Sequence, residues 1–116
     1  MNVRKFFRSF IYAFNGFILA SKQQNMKFHL ASAAVVLIAA FATGVSTLEW
    51  VLLFIVIGIV ISLEMVNTAI EAAVDLASPD IHPLAKVAKD VAAGAVLVFA
   101  VVSVIIGVLI FIPKWF

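Results

Sequence analysis

The chain has 116 residues, 66% of them hydrophobic, with 8 Lys and Arg against 6 Asp and Glu and no cysteine. A soluble fold this small leaves too much of its area facing water to hide so much apolar surface, so lipid is its natural solvent and a single domain over 1–116 is expected. A net charge of +2 on scattered carriers gives no ground for a nucleic-acid partner, and disulfides and thiolate metal sites are excluded.

The first predicted element covers about residues 3–21. On a helical wheel, RKFFRSFIYAFNGFI places Phe6, Phe7, Phe10, Ile11, Phe14, Phe17 and Ile18 on one side and Lys5, Arg8, Tyr12, Asn15 and Gly16 on the other. An aromatic face opposite a basic one marks a helix lying in the membrane interface. A signal peptide is the competing reading, since ILAS resembles a cleavage site. Arg8 and Asn15 interrupt its apolar middle, however, and the amphipathic pattern runs straight through.

Three transmembrane helices follow, at about 28–48, 50–77 and 84–112. Leu30–Leu48 carries no charge and is long enough to span. Val51–Leu63 is also uncharged, and its helix continues until SPDIHP, where Pro79 and Pro83 each lack the N–H a continuing helix needs. The third span ends near Pro113 and Trp115. Arg4, Lys5, Arg8, Lys22 and Lys27 precede the first span and Lys86 and Lys89 follow the second, against Lys114 alone on the other side. The positive-inside rule then places the N-terminus and the SPDIHP loop in the cytoplasm and the C-terminus outside. The expected fold is all-α: one interfacial helix and three transmembrane helices, in a multi-pass protein of the cytoplasmic membrane.

The second span ends in EMVNTAIEAAVD. With Glu64 at zero on the wheel, Asn67, Thr68, Glu71 and Asp75 fall within one stripe about 100° wide. A charge near mid-bilayer costs about 2.5 kcal/mol or more, so such groups are paired, metal-bound or turned toward a cavity. Asp75 and Glu71 by themselves could mark only the helix leaving the membrane; Glu64, two turns deeper, is harder to explain that way. At the start of the last span, Lys86, Lys89 and Asp90 offer either structural ion pairs or a phosphate site in which carboxylates hold Mg²⁺. His82 has only the distant His29 as a second imidazole, so it reads as a loop anchor rather than a metal ligand. No glycine-rich phosphate loop is present, so any kinase site must be built from side chains across helices.

Glu64, NTAIE (Asn67–Glu71), VDL (Val74–Leu76), HPLAK (His82–Lys86) and AKDVAAGAVL (Ala88–Leu97) closely resemble the bacterial membrane diacylglycerol kinase family. Within it, the ending IIGVLIFIPK is most similar to the undecaprenol kinases of Gram-positive bacteria. The resemblance implies a homotrimer with sites shared between subunits, transferring the ATP γ-phosphate with Mg²⁺ to a lipid alcohol, undecaprenol or diacylglycerol. It implies Glu71 as general base and metal ligand, with Glu64, Asn67 and Thr68 toward the lipid. It places Asp75, Lys86, Lys89 and Asp90 at the nucleotide, with Tyr12 and Gly16 near the adenosine. Where the family carries a second metal-binding glutamate, this chain has Gln23, followed by Gln24, and an amide brings no charge to Mg²⁺. Two other classes explain buried glutamates: a small proton-coupled transporter and a purely structural membrane subunit.

Overall fold

The computed structural model describes residues 1–116 as four helices: α1 (Val3–Ser21), α2 (Gln24–Thr43), α3 (Thr47–Ala77) and α4 (Pro83–Trp115). The last three are long and apolar enough to cross a membrane. Only 13 of the 116 residues are buried, while large apolar side chains such as Ile38, Phe41, Leu97, Val101 and Leu109 face outward. An outer surface of that kind is matched by hydrocarbon rather than water. The chain is a multi-pass membrane protein.

Each helix boundary has a local cause. Asn2 accepts a hydrogen bond from Lys5 N at 3.2 Å and opens α1. In α1 the side chains of Phe6, Phe7, Phe10, Ile11 and Phe14 are exposed, and Ala20 is its one buried residue. The helix therefore offers its aromatic face to its surroundings. Met26, fully buried, anchors the start of α2.

The structure moves the ends of the spans relative to the sequence reading. α2 starts at Gln24 rather than near 28, and stops at Thr43 rather than near 48. Gly44 takes the left-handed conformation (φ 74°, ψ 52°) and donates its N–H to Ala40 O, closing α2 where only glycine is comfortable. Three residues later α3 begins on a capping box: Ser46 Oγ accepts from Glu49 N at 3.2 Å, and Glu49 Oε1 accepts from Ser46 N at 2.9 Å. At the other end α4 runs through Pro113 to Trp115 instead of stopping at 112. Proline in the last turn forfeits one hydrogen bond, which tertiary contacts on the next two residues offset. Lys114 Nζ donates to Glu49 Oε2 at 2.8 Å, and Trp115 Nε1 donates to Thr43 Oγ1 at 3.0 Å.

Those two bonds close the end of the bundle where its core sits. Ala40, Val45, Leu53, Ile110 and Phe111 form the main buried cluster, with Trp50 and Ile106 packed against it. α3 and α4 make the most extensive helix pair, α2 packs on α3, and α1 touches only α2 and α3. Core and site thus lie at opposite ends of α3, and the hairpin loop 78–82 joins α3 to α4 at the site end.

The capping box is the feature on which the start of α3 rests. Ser46→Ala should lower unfolding free energy by about 1 kcal/mol. Ser9→Ala, whose hydroxyl only bonds back to Lys5 O, should shift it by less than about 0.5 kcal/mol. Denaturation by SDS in mixed micelles, followed by circular dichroism, measures both.

Candidate functional site at the membrane boundary

Helix length fixes the depth of each side chain. α3 has 31 residues and α4 has 33, about 46 and 50 Å at 1.5 Å per residue, against about 30 Å of hydrocarbon. Trp50 and Trp115 lie together at the core end, where tryptophan prefers the lipid–water interface. Counting from Trp50, the opposite boundary falls about twenty residues on, at Ile70 and Glu71. Glu64 then lies about 10 Å inside the hydrocarbon, and Asp75 about 6 Å beyond its edge.

The α3 stripe changes its surroundings along that path. Glu64 is 3% exposed and Asn67 4%, the only two buried polar residues of the chain. Glu64 Oε2 lies 3.6 Å from His29 Nε2 on α2, a contact across the two helices that is an ion pair only when the imidazole is protonated. Asn67 Nδ2 donates to Glu71 Oε1 at 3.4 Å, whereas its buried Oδ1 accepts nothing. Thr68 donates its hydroxyl to Glu64 O at 3.0 Å, so it serves its own helix. Glu71 is half-buried. Lysine ammonium groups stand within 4 Å of Glu49, Asp75 and Asp90 but of none of Glu64, Glu71 and Asp80. Glu71, at the hydrocarbon edge, makes no ion pair of its own, although Lys89 stands near enough to feel its charge.

Past that edge α4 supplies the charge. Lys89 Nζ pairs with Asp75 across the two helices, and Lys86 pairs with Asp90 one turn along α4. His82 Nδ1 accepts from Leu84 N at 3.1 Å, capping α4 directly before Pro83 at its first position. The imidazole anchors the loop, as its isolation in the sequence suggests. Asp75, Asp80, Lys86, Lys89 and Asp90 line a polar recess of about 330 Å³ under this loop. A carboxylate at the membrane edge thus lies beside a recess of mixed charge that faces water.

Of the residues singled out in the sequence, Glu64, Asn67, Thr68 and Glu71 form one continuous face, and Asp75, Lys86, Lys89 and Asp90 gather in the recess. Tyr12 is exposed and Gly16 half-buried on α1, with no hydrogen bond or ion pair from Tyr12 to either group. Gln23 is exposed at the N-cap of α2, and its side chain makes no capping bond. The sequence reading missed His29, weighing it only as a metal partner for His82. The available signal was its depth: an ionisable side chain inside a span is a functional candidate by default.

No three carboxylate or imidazole groups assemble into a metal cage.

An acidic stripe leads from the hydrocarbon to a charged, water-facing recess in a multi-pass membrane protein. The comparisons with known proteins say which class of membrane protein this is. The family model described as prokaryotic diacylglycerol kinase matches residues 11–111, and the chain belongs to that family of ATP-using lipid kinases. It is 52% identical to the undecaprenol kinase of Bacillus subtilis over 113 residues, 97% of this chain and 92% of that protein. It is 38% identical to a diacylglycerol kinase of Synechocystis over 107 residues, covering 90% of this chain and 61% of that longer protein. A diacylglycerol kinase of Helicobacter pylori is 31% identical over 101 residues, 82% of this chain and 75% of its own. Membership of a kinase family sets aside the transporter and structural-subunit readings.

The unpartnered Asn67 Oδ1 separates stability from function. Asn67→Leu replaces a buried, half-satisfied amide with an apolar group of similar size, so stability should be held or raised by up to about 1 kcal/mol. Phosphoryl transfer should fall at least about a hundred-fold. SDS titration and turnover on one preparation measure the two effects.

Proposed function

We propose that the protein phosphorylates undecaprenol at the cytoplasmic face of a bacterial membrane, with ATP as donor and Glu71 as general base. The observation that carries the reading is Glu71 itself, a half-buried carboxylate in no ion pair of its own at the hydrocarbon edge, one turn from a buried acceptor that lacks a donor. The identity of 52% to an undecaprenol kinase, over nearly the whole of both chains, supports the choice of acceptor. Orientation rests on seven Lys and Arg flanking the N-terminal side of α2 and the start of α4, against Lys114 alone at the other face.

In this mechanism the lipid hydroxyl approaches from the hydrocarbon side, at the level of Glu64 and Asn67. Asn67 Oδ1 accepts its hydrogen bond and orients the oxygen. Glu71 takes the proton as that oxygen attacks the γ-phosphorus in line, the bond to the β–γ bridging oxygen breaks, and ADP departs. Lys89 and Lys86 exchange their carboxylate partners for phosphate oxygens, while Asp75 and Asp90 keep the recess from becoming strongly basic when it is empty. Bound Mg²⁺ would offset phosphate charge, held by Glu71, with the neutral amide of Gln23 as the weaker candidate. Tyr12 and Gly16 on α1 meet the adenosine in a site completed by a neighbouring copy. The outward apolar faces of α2 and α4 leave room for such a trimer.

Diacylglycerol is the second reading for the acceptor, favoured by the 38% and 31% identical relatives. Purified protein offered the two lipids in matched micelles should show the higher kcat/KM with undecaprenol. The reverse order would reassign the substrate. Glu71→Gln should reduce transfer of label from γ-labelled ATP into organic-soluble lipid by about 10³-fold or more, and full activity would remove the base assignment. Lys89→Met should raise KM for ATP about ten-fold or more, with little change in KM for lipid.

A further inference from the structure

Of the eight Lys and Arg side chains, Lys86, Lys89 and Lys114 each hold a carboxylate. The other five, Arg4, Lys5, Arg8, Lys22 and Lys27, are exposed and belong to no ion pair. No acidic residue occurs before Glu49, so nothing local neutralises them. Their placement around α1 is uneven. With Arg4 at zero and about 100° per residue, Arg8 lies at about 40°, and Lys22, at the C-cap, at about 0°. The exposed rings of Phe6, Phe10 and Phe14 fall between about 200° and 280°. Half-buried Gly16 and Phe17 and buried Ala20, which face the rest of the chain, fall between about 120° and 220°. Arg4, Arg8 and Lys22 therefore form a row, about 27 Å long, on the flank turned away from their own bundle. With the aromatic face in the hydrocarbon, that flank lies at the height of the lipid headgroups.

We infer that this row is a binding surface for acidic phospholipids of the leaflet in which α1 lies, their phosphodiester oxygens accepting hydrogen bonds from Arg4, Arg8 and Lys22. A second copy of the chain is the other occupant such a flank could have, and it lacks the matching charge. Glu49, Asp75 and Asp90 are held by lysines, Glu64 is buried and Glu71 half-buried, which leaves Asp80 as the one exposed carboxylate without a cation. One carboxylate does not cover a row of three cations, whereas acidic lipid supplies negative charge all along it. Arginine suits the role, because its planar fork meets two phosphate oxygens at once. Neither nucleotide nor lipid alcohol takes part in this binding, which fixes α1 in the membrane plane with Tyr12, at about 80° on the same wheel, turned to water.

The chain has no cysteine, so a dye can be placed beside the row through Ile11→Cys, an exposed position. Full-length protein is put in phosphatidylcholine nanodiscs with a trace of lipid labelled on its acyl chain, either phosphatidylglycerol or phosphatidylcholine. Energy transfer should show about a five-fold or greater local excess of phosphatidylglycerol. Sodium chloride at about 1 M, where the screening length is about 3 Å, should abolish the excess. Arg4→Gln with Arg8→Gln and Lys22→Gln should abolish it too, while Arg4→Lys with Arg8→Lys should keep most of it. Lys5→Gln with Lys27→Gln, off the row, should cost less than about two-fold. Equal transfer from the two lipids, the result expected of a flank covered by a second copy, overturns the inference. So does a loss with the Lys5 and Lys27 pair as large as with the row. Native mass spectrometry of the undyed protein is a second measurement: equal retention of the two lipids from an equimolar mixture also overturns the inference.

Discussion

Hydrocarbon about 30 Å thick holds about twenty helical residues, and α3 and α4 contain 31 and 33. Anchored at Trp50 and Trp115 on one side, both must project from the other, and everything polar in the hairpin lies on or beyond that exit. The projection places Glu71 at the boundary and raises Asp75, Lys86, Lys89 and Asp90 into water. A hairpin trimmed to the membrane would have nowhere to assemble a water-soluble nucleotide against a lipid hydroxyl. The overhang is what turns two spanning helices into an enzyme.

The same constraint explains why core and site stand apart. At the Trp50 end the helices are joined by buried apolar side chains, the capping box and the bonds from Lys114 and Trp115. At the other end the helices meet through ion pairs and half-buried groups, Lys89 with Asp75 and Lys86 with Asp90. Partly exposed pairs contribute little to stability, so this end of the hairpin is held only weakly. Rigid packing at one end stands against weak electrostatics at the other. Between them Glu64 and Asn67 are buried, and Asn67 Oδ1 has no hydrogen-bond partner, a local cost to stability.

Much of this was legible in the residues. Amphipathic spacing of aromatics defines α1, and its observed bounds, Val3–Ser21, coincide with the range the pattern marks. Three apolar runs define three spans, and the 3.6-residue period puts Glu64, Asn67, Thr68 and Glu71 on one face. The ends of the spans were less legible, because hydropathy is blind to caps. Gly44 stops α2 and STLE starts α3 through chemistry that the sequence does spell, as S-x-x-E after a glycine. The continuation of α4 past Pro113 was not legible, since it depends on Glu49 and Thr43, more than sixty residues away.

By itself, then, the sequence determined the solvent, the number of spans and the acidic face, because periodicity and transfer energy are local properties that a chain carries wherever it folds. Only the tertiary structure decided which acidic groups are neutralised. Whether a carboxylate finds a cation depends on which helix lies beside it and at what height, and no single helix encodes that. Packing of α2 on α3 sets Glu64 beside His29, packing of α4 on α3 gives Asp75 to Lys89, and Glu71 is left between them in no ion pair of its own.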